Sequence, residues 1–125
     1  IIDVRPWVDR RELPGVYDQL RCFGITSYHE GFATTLLEAH ARGVPAITTR
    51  SAGFCAEFVV GRAPATGLAF DRQDVESALF LRRAVDMIDD WAAYDDACRL
   101  KAGQFTEERV LGPILAGINT LIRGN

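Results

Sequence analysis

Cys22-Phe23-Gly24-Ile25-Thr26 is an apolar run without polar alternation; behind it come an amphipathic stretch from Phe32 to Arg42, then Gly43, then Val44-Pro45-Ala46-Ile47-Thr48-Thr49. A short continuous run of the first kind predicts a strand covered on both faces, as in a parallel sheet between helix layers. Leu36, Leu37, Ala39 and His40 fall inside the intervening helix, and Gly43 stands where a left-handed residue would stop it. Pro45 fits only near the start of the second strand, because it has no N–H for the ladder. Strand, helix and strand in this order make a βα unit, so the fold class is α/β, a parallel sheet flanked by helices.

Working outward, Ile1 to Val4 reads as a first strand ended by Pro6. Glu12 to Leu20 follows as a helix, with Leu13, Val16, Tyr17 and Leu20 on one apolar face. Beyond the central unit, Ser51-Ala52-Gly53 is a turn, Ala56 to Val60 a short helix, Gly61 to Pro64 a loop, and Gly67-Leu68-Ala69-Phe70 a last strand before a turn at Asp71. After Asp74 no strand signal returns. Val75, Ala78, Leu79, Val85, Ile88 and Trp91 or Ala92 keep helical spacing to about Gly103, so a helical tail is expected over about 75–125. Thr106 is its last N-cap, followed by Glu107 and Glu108, and Val110, Leu111, Ile114, Leu115, Ile118 and Leu121 line one face. Gly112-Pro113 should bend that helix or delay its start.

The 125 residues carry 14 Lys plus Arg against 17 Asp plus Glu, a net charge of −3, with 48% hydrophobic residues. One core and one domain suffice for such a chain. Without a basic stripe, binding to nucleic acid is not expected, while a small anion held by local geometry stays open. Cys22, Cys55 and Cys98 are odd in number and widely spaced, which suits buried apolar residues in a reducing compartment better than disulfides or metal ligands. No apolar run approaches the ~18 residues of a membrane span. The expected location is cytoplasmic, with peripheral attachment to the inner face of a membrane as an option. The chain opens on Ile1-Ile2-Asp3-Val4 with no Met before it, as a piece of a longer protein would.

The chemistry concentrates in Ser27-Tyr28-His29-Glu30-Gly31-Phe32-Ala33-Thr34-Thr35-Leu36-Leu37-Glu38-Ala39, which leaves a buried strand and opens a helix. Ligands of open α/β sheets bind at the carboxyl ends of the strands. A helix N-terminus placed there offers unpaired N–H groups and partial positive charge to an anion such as phosphate, and Gly31 lets the backbone come close. Glu30 and Glu38 frame the turn, eight residues apart, which in a continuous helix means about 80° of rotation and about 12 Å of rise. Carboxylates hold hydroxyl pairs well, because each oxygen accepts a charge-assisted hydrogen bond. Hydroxyl-bearing groups at both ends of a phosphate pair describe a nucleotide sugar.

At this point a resemblance becomes specific. Glu30-Gly31-Phe32 through Leu36-Leu37-Glu38-Ala39, then Gly43-Val44-Pro45 and Ala46-Ile47-Thr48-Thr49, resembles the E-x7-E signature region of retaining GT-B glycosyltransferases, the group that includes glycogen-synthase-like and mannosyltransferase enzymes. Glu12 to Leu20 ahead of it, and Gly53, Glu57 and Thr66-Gly67-Leu68-Ala69-Phe70 behind it, are similar to the flanking segments of that family. The resemblance implies an incomplete carboxyl-terminal, donor-binding half of a GT-B fold over residues 1–125, with a Rossmann-like sheet. It implies Glu30 as the catalytic-site carboxylate on the donor sugar, the backbone of Gly31, Phe32, Ala33 and Thr34 against sugar and diphosphate, and Glu38 on the ribose. Trp7 and Val8 would lie against the base. Neither metal nor cofactor is implied, in keeping with the lack of an Asp-x-Asp; the nucleoside-diphosphate sugar is a substrate. The partners implied are that donor, an acceptor (saccharide, lipid-linked or small molecule) and an amino-terminal acceptor domain of the same chain. The segment alone should be inactive. Arg5-Pro6 replaces a glycine common in the family, Ala52-Gly53 replaces a Gly-Gly turn, and the family's basic diphosphate clamp belongs to a portion not present here.

Two rival functions are a donor-domain relic that binds nucleotide or acts as a scaffold without catalysis, and a flavodoxin-like regulatory domain. The second needs a phosphate-accepting Asp at the end of the first strand, whereas Asp3 lies inside it. Other polar residues have plainer roles: His29 as a loop histidine, His40 as a structural one, Arg50 at the surface or a domain boundary. Asp86, Asp89, Asp90, Asp95 and Asp96 read as a solvated face, and Trp91 and Tyr94 as packing aromatics. Thr34 is equally suited to bond phosphate or to satisfy local backbone.

Overall fold

The computed structural model describes Val4 and residues 7–61, 63–74 and 76–123. Three parallel strands, β1 (Phe23–Ile25), β2 (Ala46–Thr49) and β3 (Gly67–Phe70), form a sheet with β2 in the middle. Phe23 pairs with Ala46 and Ile25 with Thr48, and on the other side Ala46 pairs with Gly67 and Thr49 with Phe70. Parallel neighbours require crossovers. The first is α2 (Thr34–Ala41); the second is α3 (Phe54–Ala56), which widens into a π turn over Glu57–Gly61. Helix α1 (Leu13–Tyr17) precedes the sheet, and α4 (Ala78–Asp89), α5 (Asp95–Ala102) and α6 (Glu107–Arg123) follow it. The α/β class with a helical tail is thus the one found. No helix among the described residues is long and apolar enough to cross a membrane.

The core forms where α2 and α3 press on the sheet: Ile25, Leu36, Ala46, Ala52, Cys55, Phe58 and Val59 make one buried cluster. A smaller cluster of Tyr17, Ala39 and Val44 lies under α1, with Leu13, Leu20 and Phe23 packed against it. Strand β3 approaches β2 so closely that a Cβ on Gly67 would lie 2.7 Å from the Ala46 carbonyl carbon. Only glycine leaves that space empty. His40 is fully buried; its Nε2 lies 2.8 Å from Thr66 Oγ1, which donates its own proton to the Val59 carbonyl at 3.3 Å. The structural role expected of His40 is the role it has.

Helix α2 ends on Gly43 at φ 78°, with Gly43 N–H donating to His40 O at 2.9 Å and Val44 N–H to Ala39 O at 3.0 Å. Those two bonds define a Schellman stop. Helix α5 completes it, because Arg99 donates to the Ala41 and Arg42 carbonyls at 2.8 and 3.1 Å. Lys101, 3% exposed, donates to the Phe58 carbonyl at 2.5 Å and to Val59 at 3.3 Å. Two cations of α5 therefore satisfy carbonyls at the ends of both crossover helices.

Several boundaries differ from expectation. Apart from Val4, which is exposed and not in a strand, the expected first strand lies outside the described residues. Helix α1 covers five residues instead of the nine from Glu12 to Leu20: Pro14 is confined to its first turn, and after Tyr17 the bonds tighten, with Gln19 N–H to Val16 O and Leu20 N–H to Tyr17 O. Helix α2 starts at Thr34 and not at Phe32, because Phe32 turns into a cluster with Phe54, Phe58 and Phe105 and Ala33 stays extended at ψ 108°. The same cluster draws Phe54 into α3, two residues ahead of the expected Ala56. Arg50 to Ala52 form a 3-10 turn in place of a simple one. Of the bend or delayed start expected at Gly112-Pro113, the delay does not occur: α6 begins at Glu107 and holds Pro113 inside it. Thr106 Oγ1 accepts from Arg109 N–H at 3.4 Å, so the helix is under way before the proline removes a single bond.

Candidate functional site

Strand β1 ends at Ile25, and the loop that follows carries Glu30 to the mouth of α2. Its course is fixed from two sides. Thr49, at the end of β2, donates its hydroxyl to the Ser27 carbonyl at 2.5 Å, and Ser27 in turn donates Oγ–H to Glu30 Oε1 at 2.8 Å. Gly53, at φ 58°, lets the loop after β2 pass close beside this segment; a Cβ there would come 3.3 Å from the Glu30 carbonyl. Glu30 is half-buried, and Gly31, Thr34 and Thr35 are exposed.

The opening of α2 has no side-chain cap, since the N-cap position is Ala33. Ala33 N–H donates to Cys55 Sγ at 3.4 Å and Leu36 N–H to Ala33 O at 2.9 Å. A thiol sulfur is a weak acceptor, so it satisfies that amide poorly. The side chain of Phe32 belongs to the core, with its ring centroid 5.2 to 5.6 Å from those of Phe54, Phe58 and Phe105. Whatever Phe32 and Ala33 offer a ligand is therefore main-chain.

Glu38 lies farther along α2, and its side chain meets α1. Tyr17 donates its phenolic O–H to Glu38 Oε2 at 2.9 Å. Tyr17 is 6% exposed and packs edge-on against Phe23 at 6.1 Å between centroids, so its hydroxyl is fixed in place. Burial, then the hydrogen bond to Glu38, then the charge of that carboxylate push the phenol up to about 12, so it remains a donor throughout the neutral range. Tyr17 and Glu38 share a cavity of about 250 Å³ between α1 and α2 with Arg10, Leu13, Pro14 and Arg42. Arg42 also pairs with Asp18 at 3.1 Å.

Each glutamate thus accepts a hydrogen bond from a neutral hydroxyl, Glu30 from Ser27 and Glu38 from Tyr17. Of the residues expected against a base, Trp7 is exposed at 76% and Val8 half-buried. They stand just before the turn at Asp9, whose carboxylate accepts from Arg11 N–H and whose carbonyl accepts from Glu12 N–H. That turn delivers Arg10 to the cavity. Arg10, Leu13, Pro14 and Tyr17 recur at helical spacing, a stripe the apolar face drawn from Leu13, Val16, Tyr17 and Leu20 did not include. His29 is exposed in the loop, and Arg50 pairs at the surface with Asp71 at 3.3 Å.

Compared with known proteins, the chain matches the family described as glycosyl transferases group 1 over residues 2–89, which span the sheet and end with α4. No curated protein and no solved structure matches it.

Proposed function

The chain belongs to the group 1 glycosyltransferases, and from that membership we propose that residues 1–125 are the donor-binding part of a retaining, metal-independent enzyme. Glycosyl transfer from a nucleotide-sugar donor to an acceptor comes with the family. The finer reading concerns how this segment grips the donor.

In that reading the diphosphate lies at the opening of α2, where the amides of Gly31, Phe32, Ala33 and Thr34 and the positive end of the helix offset its charge as the bond to the sugar breaks. Glu30, oriented by Ser27, accepts hydrogen bonds from hydroxyls of the donor sugar. Glu38 accepts from the ribose diol, which places the nucleoside toward the α1–α2 cavity, with Trp7 and Val8 on the base side. The bond between the anomeric carbon and its phosphate oxygen breaks with its electron pair going to that oxygen, the acceptor oxygen bonds to the same face, and the acceptor's hydroxyl proton passes to the departing diphosphate. The segment supplies mainly position and orientation. The acceptor-binding domain and the basic diphosphate clamp belong to the rest of the parent chain.

The observation that supports this most is the pairing of an uncapped helix opening at the carboxyl end of β1 with a carboxylate that a buried phenol directs toward a cavity. Calorimetry on the full-length protein tests it. Glu38→Ala should weaken nucleoside-diphosphate binding at least tenfold, since each lost hydrogen bond to a charged group is worth about 1.5–3 kcal/mol. Unchanged affinity removes the ribose assignment. Tight donor binding with no transfer to any acceptor would favour the non-catalytic relic.

A further inference from the structure

We propose that Tyr17 is a positioning residue for nucleotide recognition: its buried hydroxyl holds Glu38 in the one rotamer that meets a ribose diol, and so sets the preference of the enzyme for ribo- over deoxyribonucleotide donors. This rests on the assignment of Glu38 to the ribose. Glu38 is exposed and sits on the outer side of α2, where a glutamate left alone samples many rotamers and loses that freedom on binding. Tyr17 removes the freedom in advance. Its ring is clamped by Phe23, Ala39 and Val44, so two χ angles already fix where the O–H points. The bond to Oε2 at 2.9 Å then turns the carboxylate so that Oε1, together with the second lone pair of Oε2, remains for a ligand.

The donor is a neutral phenol and not a cation. A lysine or arginine in its place would neutralise the carboxylate and compete with the ligand, whereas a phenol orients it and leaves the full negative charge for two hydroxyl protons. Burial keeps the proton on Tyr17. The residue touches neither sugar nor phosphate, and acts only through Glu38.

The test is calorimetry on the full-length protein with each common nucleoside diphosphate, in ribo, 2′-deoxy and 3′-deoxy form, for wild type, Tyr17→Phe, Glu38→Ala and the double variant. Wild type should bind the ribo form of its preferred base more tightly than either deoxy form. Tyr17→Phe, which keeps the ring and its packing, should weaken the ribo form by roughly three- to tenfold, the cost of ordering one flexible side chain, and leave the deoxy forms nearly unchanged. In the Glu38→Ala background the tyrosine change should have no further effect. Equal weakening of ribo and deoxy forms by Tyr17→Phe, or none, overturns the positioning role while Glu38→Ala still abolishes the preference. If Glu38→Ala leaves the preference intact, the ribose assignment fails, and this inference with it.

Discussion

Acid should loosen this protein through one side chain. His40 is fully buried on α2, and burial, followed by the nearby charge of Lys101, lowers its pKa from 6.5 to about 4. Between those two values the unfolded chain binds a proton that the native state refuses, so stability falls as the pH drops through the unfolded value toward the folded one. At about 1.4 kcal/mol per pH unit the gap amounts to about 3 kcal/mol lost by pH 4, a sizeable share of the 5–15 kcal/mol of an ordinary domain. The geometry explains why the native state resists the proton: the ring is fully buried, it lies 5.5 Å from that of Phe58, and the Lys101 ammonium sits over the same phenyl ring at 5.5 Å. A charged imidazole would share an apolar enclosure with a cation. The assay is urea unfolding of wild type and His40→Gln at pH 7, 6 and 5, comparing midpoints at constant salt. Wild type should lose stability between pH 6 and 5 more steeply than the variant, so that the difference between them narrows with acid. Parallel pH dependences, or a wild type that gains stability on acidification, would refute the reasoning.

The remaining predictions concern other fixed points. Lys101→Met keeps the apolar stem but removes the ammonium bonded to the Phe58 and Val59 carbonyls; unfolding should shift by about 1–3 kcal/mol, and the pH dependence owed to His40 should flatten as the neighbouring charge disappears. Gly67→Ala places a methyl group against the Ala46 backbone and should part β2 from β3, costing roughly 3 kcal/mol or more and seen as loss of soluble, cooperatively unfolding protein. Ser27→Ala frees Glu30 Oε1 from the Ser27 hydroxyl. If Glu30 reads the donor sugar as proposed, the KM for the sugar donor should rise several-fold, with less change in affinity for the free nucleoside diphosphate. Equal effects on both ligands would move Glu30 away from the sugar.

Much of the fold was legible because the deciding residues act locally. Gly67–Phe70 became β3 with the expected bounds, and Gly43 stopped α2 through its positive φ, whereas the run from Cys22 to Thr26 yielded a strand only over Phe23–Ile25, at the edge of the described sheet with Gly24 exposed and so not covered on both faces as expected. What escaped depended on partners distant in sequence. Nothing near Phe32 says that it will turn inward to meet Phe105, and that turn delays α2 by two residues. Nothing near Glu38 says that Tyr17, 21 residues earlier, will bond to it. Tyr17 is one more apolar position on a helix face by spacing, and burial at 6% agrees, yet the hydroxyl is the informative atom. Arg10 carries no such signal, because it is a charged residue ahead of the apolar stripe that it extends.

The helix that presents Glu38 is held by residues beyond the family match. The match ends at residue 89, whereas Arg99 and Lys101 lie on α5, and α5 packs directly on α2. Arg99 closes the Ala41 and Arg42 carbonyls, and Lys101 ties the end of the second crossover to the same helix. A Cβ on Gly43 would strike the Asp95 side chain, so the stop of α2 and the start of α5 are fitted to each other. An exposed carboxylate can recognise a diol only if its backbone does not shift by the length of a hydrogen bond, and a helix of eight residues lacks the intrinsic stability to ensure that. In the proposed reading, the rigidity of Glu38 therefore depends on α5, and substitutions there should alter donor affinity without touching the donor.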